Sequence, residues 1–352
     1  MNDSRHSRLR LLPPGARHFA VLASVWLCVA LPLVVSADAA RESGRAARGV
    51  PRLYSGKSPF NQPIPPNAKI DPRSDAYVAG LAEAGRRHGL FVSVARWTVP
   101  VYYATASSPR VDVRLTASWR VADWMLRVPI PRGAAPDPSS DGHMTILDRA
   151  RGCEFDLYRA RRENARWVAD WANSIRTSSR GVYPFSFSAR GSGFASLAGL
   201  IWPKELRARS IRHALLFSYP NTAARGAVSP ATETDGQSAR SDALPEGTRL
   251  QLDPHLDLRA LGLSGAALTI GGALQRYGMY LGDTGGGVSL YAVNRRSYAR
   301  DPYSGLFDAG PYASLERIPL NRFRVIRLPR VRPASELRSR ARLVQSGCAR
   351  MR

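Results

Sequence analysis

The chain has 352 residues, 44% of them hydrophobic, and carries 51 Lys and Arg against 27 Asp and Glu for a formal net charge of +24. That apolar content excludes a chain disordered throughout, and the length suits one large β-rich domain or two modest ones. Only Lys57, Lys69 and Lys204 are lysines, so the excess is arginine; no zinc finger, Walker loop or RNA-binding signature accompanies it, and nucleic acid is not an expected partner.

Arg5, Arg8, Arg10 and Arg17 precede the apolar run Phe19 to Val35, and Ser36-Ala37-Asp38-Ala39-Ala40 supplies the small residues a signal peptidase reads. Residues 1–39 therefore read as a signal peptide, with an uncleaved anchor as the alternative. The protein is expected to be secreted or extracytoplasmic, with no membrane contact after cleavage. Residues 40–54 read as a disordered lead, 55–320 as a single β-rich domain and 321–352 as an arginine-rich C-terminal extension. That extension holds ten arginines against one acid, Glu336, a composition suited to an anionic cell surface. With the leader gone, Cys153 and Cys348 are the remaining thiols. They either bridge, stapling the tail to a hairpin, or stay as a buried Cys153 and a free Cys348.

The prolines of "SPFNQPIPPNAKIDP" forbid helix and impose an extended path. A helix follows, with Ser74 as its cap, Tyr77, Val78 and Leu81 as its stripe, and Gly85 or Gly89 as its end. "FVSVARWTVPVYYA", "RVDVRLTA" and "DWMLRVPIP" alternate like strands, and "SSDGHMTILDRARGCEFDLY" spells a hairpin. "AGLIWPKELRAR" gives a short helix with Pro203 in its first turn, and Ile211 to Tyr219 a buried strand carrying His213. Residues 221–248 read as a long polar loop. "SGAALTIGGALQRYG" is a helix capped by Ser264, and "MYLGDTGGGVSLYAV" a strand pair around a glycine turn. The fold class is mainly β, an antiparallel sandwich or jelly-roll with a few short helices and long loops.

Polar chemistry concentrates at four places: Asp141-Gly142-His143, His213 in "IRHALLF", Glu233 and Asp235 in "ATETDG", and Gln275, Arg276, Tyr277, Tyr280 and Asp283 in "LQRYGMYLGD". Each has a bland reading as turn, rim or core. Asp141, Glu233, Asp235, Asp253 and Asp283 are candidates for the two facing carboxylates of glycoside hydrolysis. Tyr277 with a histidine supplies a base for β-elimination from a uronic acid, where Arg276 or Gln275 would hold the carboxylate. Two histidines with Asp141 or Asp235 are donors for a divalent ion, but no His-x-His or His-x-x-x-His spacing occurs, so no cofactor is assigned and a divalent metal stays open. Gly191-Ser192-Gly193 lacks the context of a nucleophile elbow.

The ordered phrases "SPFNQPIPPNAKIDP", "SDGHMTILD", "AGLIWPKEL", "IRHALLF", "PATETDG", "LPEGTRLQLDP" and "ALQRYGMYLGD" resemble a set of exported bacterial proteins, largely uncharacterised, over about residues 55 to 293. The resemblance implies export and one β-rich unit, with some members near carbohydrate-active modules, and no established reaction. Its recurrent polar positions fall on Asp141, His143, His213, Asp235, Asp253, Gln275, Tyr277 and Asp283. "LIWPKEL" departs from an Arg-Pro-Glu-Glu flavour, which leaves Lys204 and Glu205 outside the carry-over.

Two readings follow. The first is an exported enzyme that cleaves an extracellular polysaccharide by hydrolysis or elimination, with Asp141, His143, His213, Asp235 and Tyr277 as catalytic candidates and Gln275, Arg276 and Asp283 binding substrate. The second is a non-enzymatic glycan-binding or envelope protein. The first requires His143, His213, Asp235 and Tyr277 to share one pocket; their scatter favours the second.

Overall fold

The computed structural model describes residues 52–117, 123–339 and 348–349; the expected signal peptide and most of the lead lie outside them. Strands dominate. In chain order they are β1 (Phe91–Ser93), β2 (Val101–Tyr103), β3 (Arg110–Leu115), β4 (Met125–Pro129), β5 (Met144–Asp148), β6 (Cys153–Tyr158), β7 (Arg161–Glu163), β8 (Arg166–Ala169) and β9 (Trp171–Arg176). The second half adds β10 (Leu215–Tyr219), β11 (Thr222–Ala227), β12 (Leu244–Glu246), β13 (Arg249–Leu252), β14 (Met279–Thr284), β15 (Ser289–Tyr291), β16 (Tyr312–Ser314) and β17 (Phe323–Val325).

A seven-stranded sheet runs β16-β1-β15-β10-β14-β13-β17, two four-stranded sheets run β2-β5-β6-β9 and β4-β3-β8-β7, and β11 pairs with β12. The chain is β-rich, as its alternation predicts. The pairing is not uniformly antiparallel, because β1·β15, β10·β14, β2·β5, β3·β8 and β11·β12 are parallel. Strand β10 explains why this was hard to read: buried along its whole length, it spells a continuous apolar run that carries no direction.

Period-two alternation in the expected hairpin sets the layers. β5 and β6 pair antiparallel with Met144 opposite Leu157 and Ile146 opposite Phe155. These four side chains join Val113, Leu115, Leu126 and Val128 of the facing sheet in one core. Leu147 points the other way, into a second core with Phe60, Phe194 and Tyr280. A third core lies against the seven-stranded sheet, where the helices Ser74–Ala84 and Gly265–Arg276 bury Leu81, Ile270 and Leu274.

The alternate residues of β6, Glu154 and Asp156, are fully buried carboxyls. Asp156 accepts from Thr145 Oγ1 (2.8 Å), Tyr183 OH (3.1 Å) and the Ser196 amide (3.1 Å). Glu154 accepts from Tyr54 OH (2.6 Å) and the Leu197 amide (2.9 Å). Burial, then the neighbouring Asp156, pushes Glu154 well above the ordinary carboxylate range. Tyr54, assigned to the disordered lead, is thus a core residue at 8% exposure.

Other expectations are corrected locally. Helix Ser74–Ala84 ends at Gly85, but Ser74 makes no cap bond; its hydroxyl accepts from the Val325 amide of β17. Ser264 sits at the N-cap of its helix with no side-chain cap bond. The apolar run from Ile211 becomes strand only at Leu215, leaving His213 ahead of it. The loop at 221–248 contains β11 and β12. β14 and β15 are not paired with each other: β10 lies between them, and Gly285 crosses its end so closely that a Cβ there would come 2.7 Å from Ser218 Oγ. The boundary expected at 320 falls inside the fold, since β17 is the sheet edge. Arg322, Arg324 and Arg330 bond Asp253, Gln251 and Glu336, and the Arg332 amide bonds the Ala227 carbonyl. No described helix is long and apolar enough to cross a membrane.

Cys153 and Cys348 form a disulfide across 195 residues of sequence. A closure this long removes much chain entropy from the unfolded state, so Cys153→Ser or reduction is expected to lower stability by about 2–5 kcal/mol. Denaturant midpoints with and without reductant measure it; equal midpoints would show that the bridge contributes nothing.

Candidate functional site

The turn Asp141-Gly142 leads into β5, and Asp283 lies at the end of β14, one residue before Thr284. The two meet at the junction of a two-armed cleft, where Asp141, His143, Asp283 and Thr284 line both arms. One arm, about 820 Å³, runs past Trp97, Phe91 and Tyr312. The other, about 760 Å³, runs past Arg190, Glu233, Asp235 and Tyr158.

His143 is held by its backbone, whose carbonyl accepts from the Asp137 amide at 2.8 Å. Its ring packs 5.3 Å from the Tyr158 ring, is 6% exposed, and has no partner for Nδ1 among the described residues. Burial, reinforced by the Arg190 cation, lowers its pKa to about 3, so the imidazole is neutral, with Nδ1 buried.

Arg190 has no exposed side-chain surface and reaches Asp283 Oδ2 at 3.1 Å, lying 4.8 Å from the centre of the Tyr291 ring. Tyr291 OH donates to the same carboxyl at 3.4 Å. A salt bridge this close would ordinarily keep an aspartate ionised. Here burial outweighs it, with Asp235 and Asp141 adding repulsion, and Asp283 is raised to about 8. Asp235 accepts from Thr284 Oγ1 at 2.6 Å and offers its amide to buried Glu246 at 3.2 Å. Burial raises Asp235 and Asp141, and pushes Glu246 well up. One guanidinium among four carboxyls cannot balance them all, so negative charge on any one of them is disfavoured. Gly191 permits the crowding: a Cβ there would lie 2.5 Å from the Asp235 carboxyl carbon.

The aromatic arm rests on a strained residue. Trp97 is 42% exposed with φ +55°, a left-handed backbone that a bulky residue rarely adopts. Asp137 holds it there, accepting the Trp97 amide at 3.3 Å while receiving Asn294 Nδ2 at 2.7 Å. Tyr312, also 42% exposed, packs edge-on against Phe91 with ring centres 5.4 Å apart.

Of the eight residues singled out from sequence, the cleft gathers Asp141, His143, Asp235 and Asp283. The other four lie elsewhere. His213 occupies a separate hollow, with Nδ1 2.9 Å from the Ala214 carbonyl and Nε2 3.1 Å from Glu205. Burial opposes its charge, but Glu205 prevails and raises its pKa. Tyr277 is core, its carbonyl accepting from Arg249 at 2.7 Å, and Arg276 stacks over its ring. Gln275 braces the Asp253 and Leu256 carbonyls. The two histidines therefore do not converge, which removes the pairing behind both the metal option and elimination by Tyr277. No group of three or more His, Cys, Asp or Glu suited to a metal ion exists among the described residues. Sequence reasoning missed Arg190, Glu246 and Tyr291. An arginine in so arginine-rich a chain carries no signal, although the two glycines that follow it, Gly191 and Gly193, mark a crowded backbone.

Comparison with family models, curated proteins and solved structures found no match, so the functional reading rests on the cleft itself. The His143 ring is expected to stay neutral as pH falls from 8 to about 4, read from its NMR ring signals with His143→Gln for assignment. Because the unfolded imidazole takes a proton near pH 6.5, this group costs the fold stability as pH drops from there toward 3. A midpoint near 6.5 in the native protein would refute the buried neutral state.

Proposed function

We propose that the protein hydrolyses glycosidic bonds of an extracellular polysaccharide, with Asp283 as general acid and Asp141 or Asp235 as its ionised partner. The observation that carries this reading is a carboxyl at a cleft junction that holds its proton to about 8, with Asp235 and Asp141 close enough to act on it. Glycoside hydrolysis needs a division of roles: one acid protonates the leaving oxygen while a carboxylate activates water or attacks the sugar carbon. Arg190 steadies the Asp283 carboxylate left after proton transfer. Trp97 and Tyr312 offer faces on which sugar rings stack. The disulfide supports an oxidising, extracytoplasmic location.

Elimination fits less well, since Tyr277 is a core residue away from the cleft. The non-enzymatic alternative keeps the aromatic arm and discards the acid. Incubating the purified protein with neutral and uronic polysaccharides separates the three readings. New reducing ends without ultraviolet absorbance are expected; absorbance from unsaturated products would replace hydrolysis by elimination, and neither signal would leave a glycan binder.

Asp283→Asn is expected to lower kcat roughly 10²–10⁴-fold. In the parent enzyme activity should be present below, and lost above, an apparent pKa near 8, because the acid must be protonated. An alkaline limb unchanged in Asp283→Asn would refute the assignment. Trp97→Ala should raise KM by about 1 kcal/mol in binding, several-fold, with kcat retained; steady-state kinetics on a long oligosaccharide reads the split.

A further inference from the structure

A second hollow, of about 330 Å³, shares no lining residue with the cleft. Its walls come from the end of β2, the turn after β5, the short helix Pro203–Arg207 and the segment after β15. Tyr103, Tyr298 and Trp202 supply aromatic surface, Arg52, Arg149 and Lys204 supply charge, and no carboxylate among the described residues lines it. Tyr103 and Tyr298 are 41% and 37% exposed, high values for large aromatic side chains.

None of the three cations has a carboxylate partner among the described residues. Arg52 donates to the Asn61 carbonyl, and Arg149 lies 4.5 Å from the centre of the Tyr103 ring, donating to its hydroxyl at 3.4 Å. The stacking holds the guanidinium fork in one orientation without neutralising it. Burial and then the neighbouring Tyr103 raise Tyr298 to about 12, which keeps its hydroxyl a donor. The hollow continues past Trp202 into the one that holds His213, sharing Arg52 and Leu53. There the one acid, Glu205, is already matched by His213, while Arg212 adds another charge.

An occupant must therefore be anionic at one edge and apolar on a ring face. A neutral sugar would leave the cations unused, and a simple inorganic anion would leave the aromatics unused. A hexuronic acid unit has both properties: its carboxylate projects from the ring edge, and its C–H face packs on an aromatic ring. We propose that this hollow is an accessory binding site for a uronate-bearing oligosaccharide, separate from the cleft and able to hold ligand whether or not the cleft is catalytic. Arg149 and Lys204 take the carboxylate, and Tyr103 and Tyr298 take the sugar face.

Isothermal titration calorimetry of the full chain with a short galacturonate oligosaccharide, against a galactose oligosaccharide of the same length, tests the site. Saturable binding of the uronate is expected, at least tenfold tighter than the neutral chain and weakened by salt. Each lost charge-assisted contact is worth roughly tenfold, so Arg149→Ala with Lys204→Ala should weaken binding tenfold or more. Both side chains are exposed, so thermal unfolding of that variant should match the parent's, and Asp283→Asn should leave the affinity unchanged. Equal affinity for neutral and uronate chains, parent-like binding by the double variant, or no uronate binding would overturn the site. Loss of binding in Asp283→Asn alone would move the ligand to the cleft and overturn it too. Hydrolysis and accessory binding thus fail on different variants.

Discussion

The buried carboxyls of β6 are the constraint on which the rest of the molecule hangs. Glu154 and Asp156 occupy the positions that an ordinary two-faced strand gives to apolar side chains, and they meet no water there. They are tolerated because five donors from three distant segments close around them: Tyr54 from the start of the described chain, Thr145 from the paired strand, and Tyr183 with the Ser196 and Leu197 amides from the loop beyond β9. Taking away one donor leaves an unsatisfied buried group, a heavier loss than the bond itself. The same anchored loop delivers Arg190 into the cleft. A hydrogen-bond cluster deep between the sheets therefore fixes where the guanidinium of the candidate site stands.

The cleft's electrostatics follow from crowding more than from any single neighbour. Asp283 has a guanidinium at 3.1 Å and still rises, because burial and two further carboxyls outweigh one cation. His143 is driven the opposite way by the same burial and the same Arg190. One environment thus gives an acid that keeps its proton and an imidazole that refuses one, the pairing of opposite behaviour that acid–base sites exploit.

How much of this was legible in the sequence varies with the range of the interaction that decides it. The β5–β6 hairpin and helix Ser74–Ala84 are local, and alternation, turn residues and a terminal glycine sufficed for them. The place of β10 between β14 and β15 was not legible, because Asp283-Thr284-Gly285-Gly286-Gly287 spells a hairpin turn equally well when another strand passes beneath it. Parallel β11 and β12 hid in a polar stretch because exposed Ala224 and Arg225 alternate with nothing apolar enough to mark a strand. At the site, Asp141 and His143 stood out by adjacency. Tyr277 and Gln275 stood out equally and do bracing work instead, because composition cannot tell a polar group aimed at solvent from one satisfying a carbonyl next to it. Arg190 was invisible for the opposite reason: its role depends on Asp283, 93 residues away.

The C-terminal segment has an architectural consequence. Ala334 and Leu337 form part of one cleft wall, and the same stretch of chain is covalently tied at Cys348 to β6, the strand that carries the buried carboxyls. One covalent bond thus runs from a piece of cavity wall to the strand at the buried polar centre of the molecule, so the redox state of a single cystine bears on the shape of the binding surface as well as on the hardness of the fold.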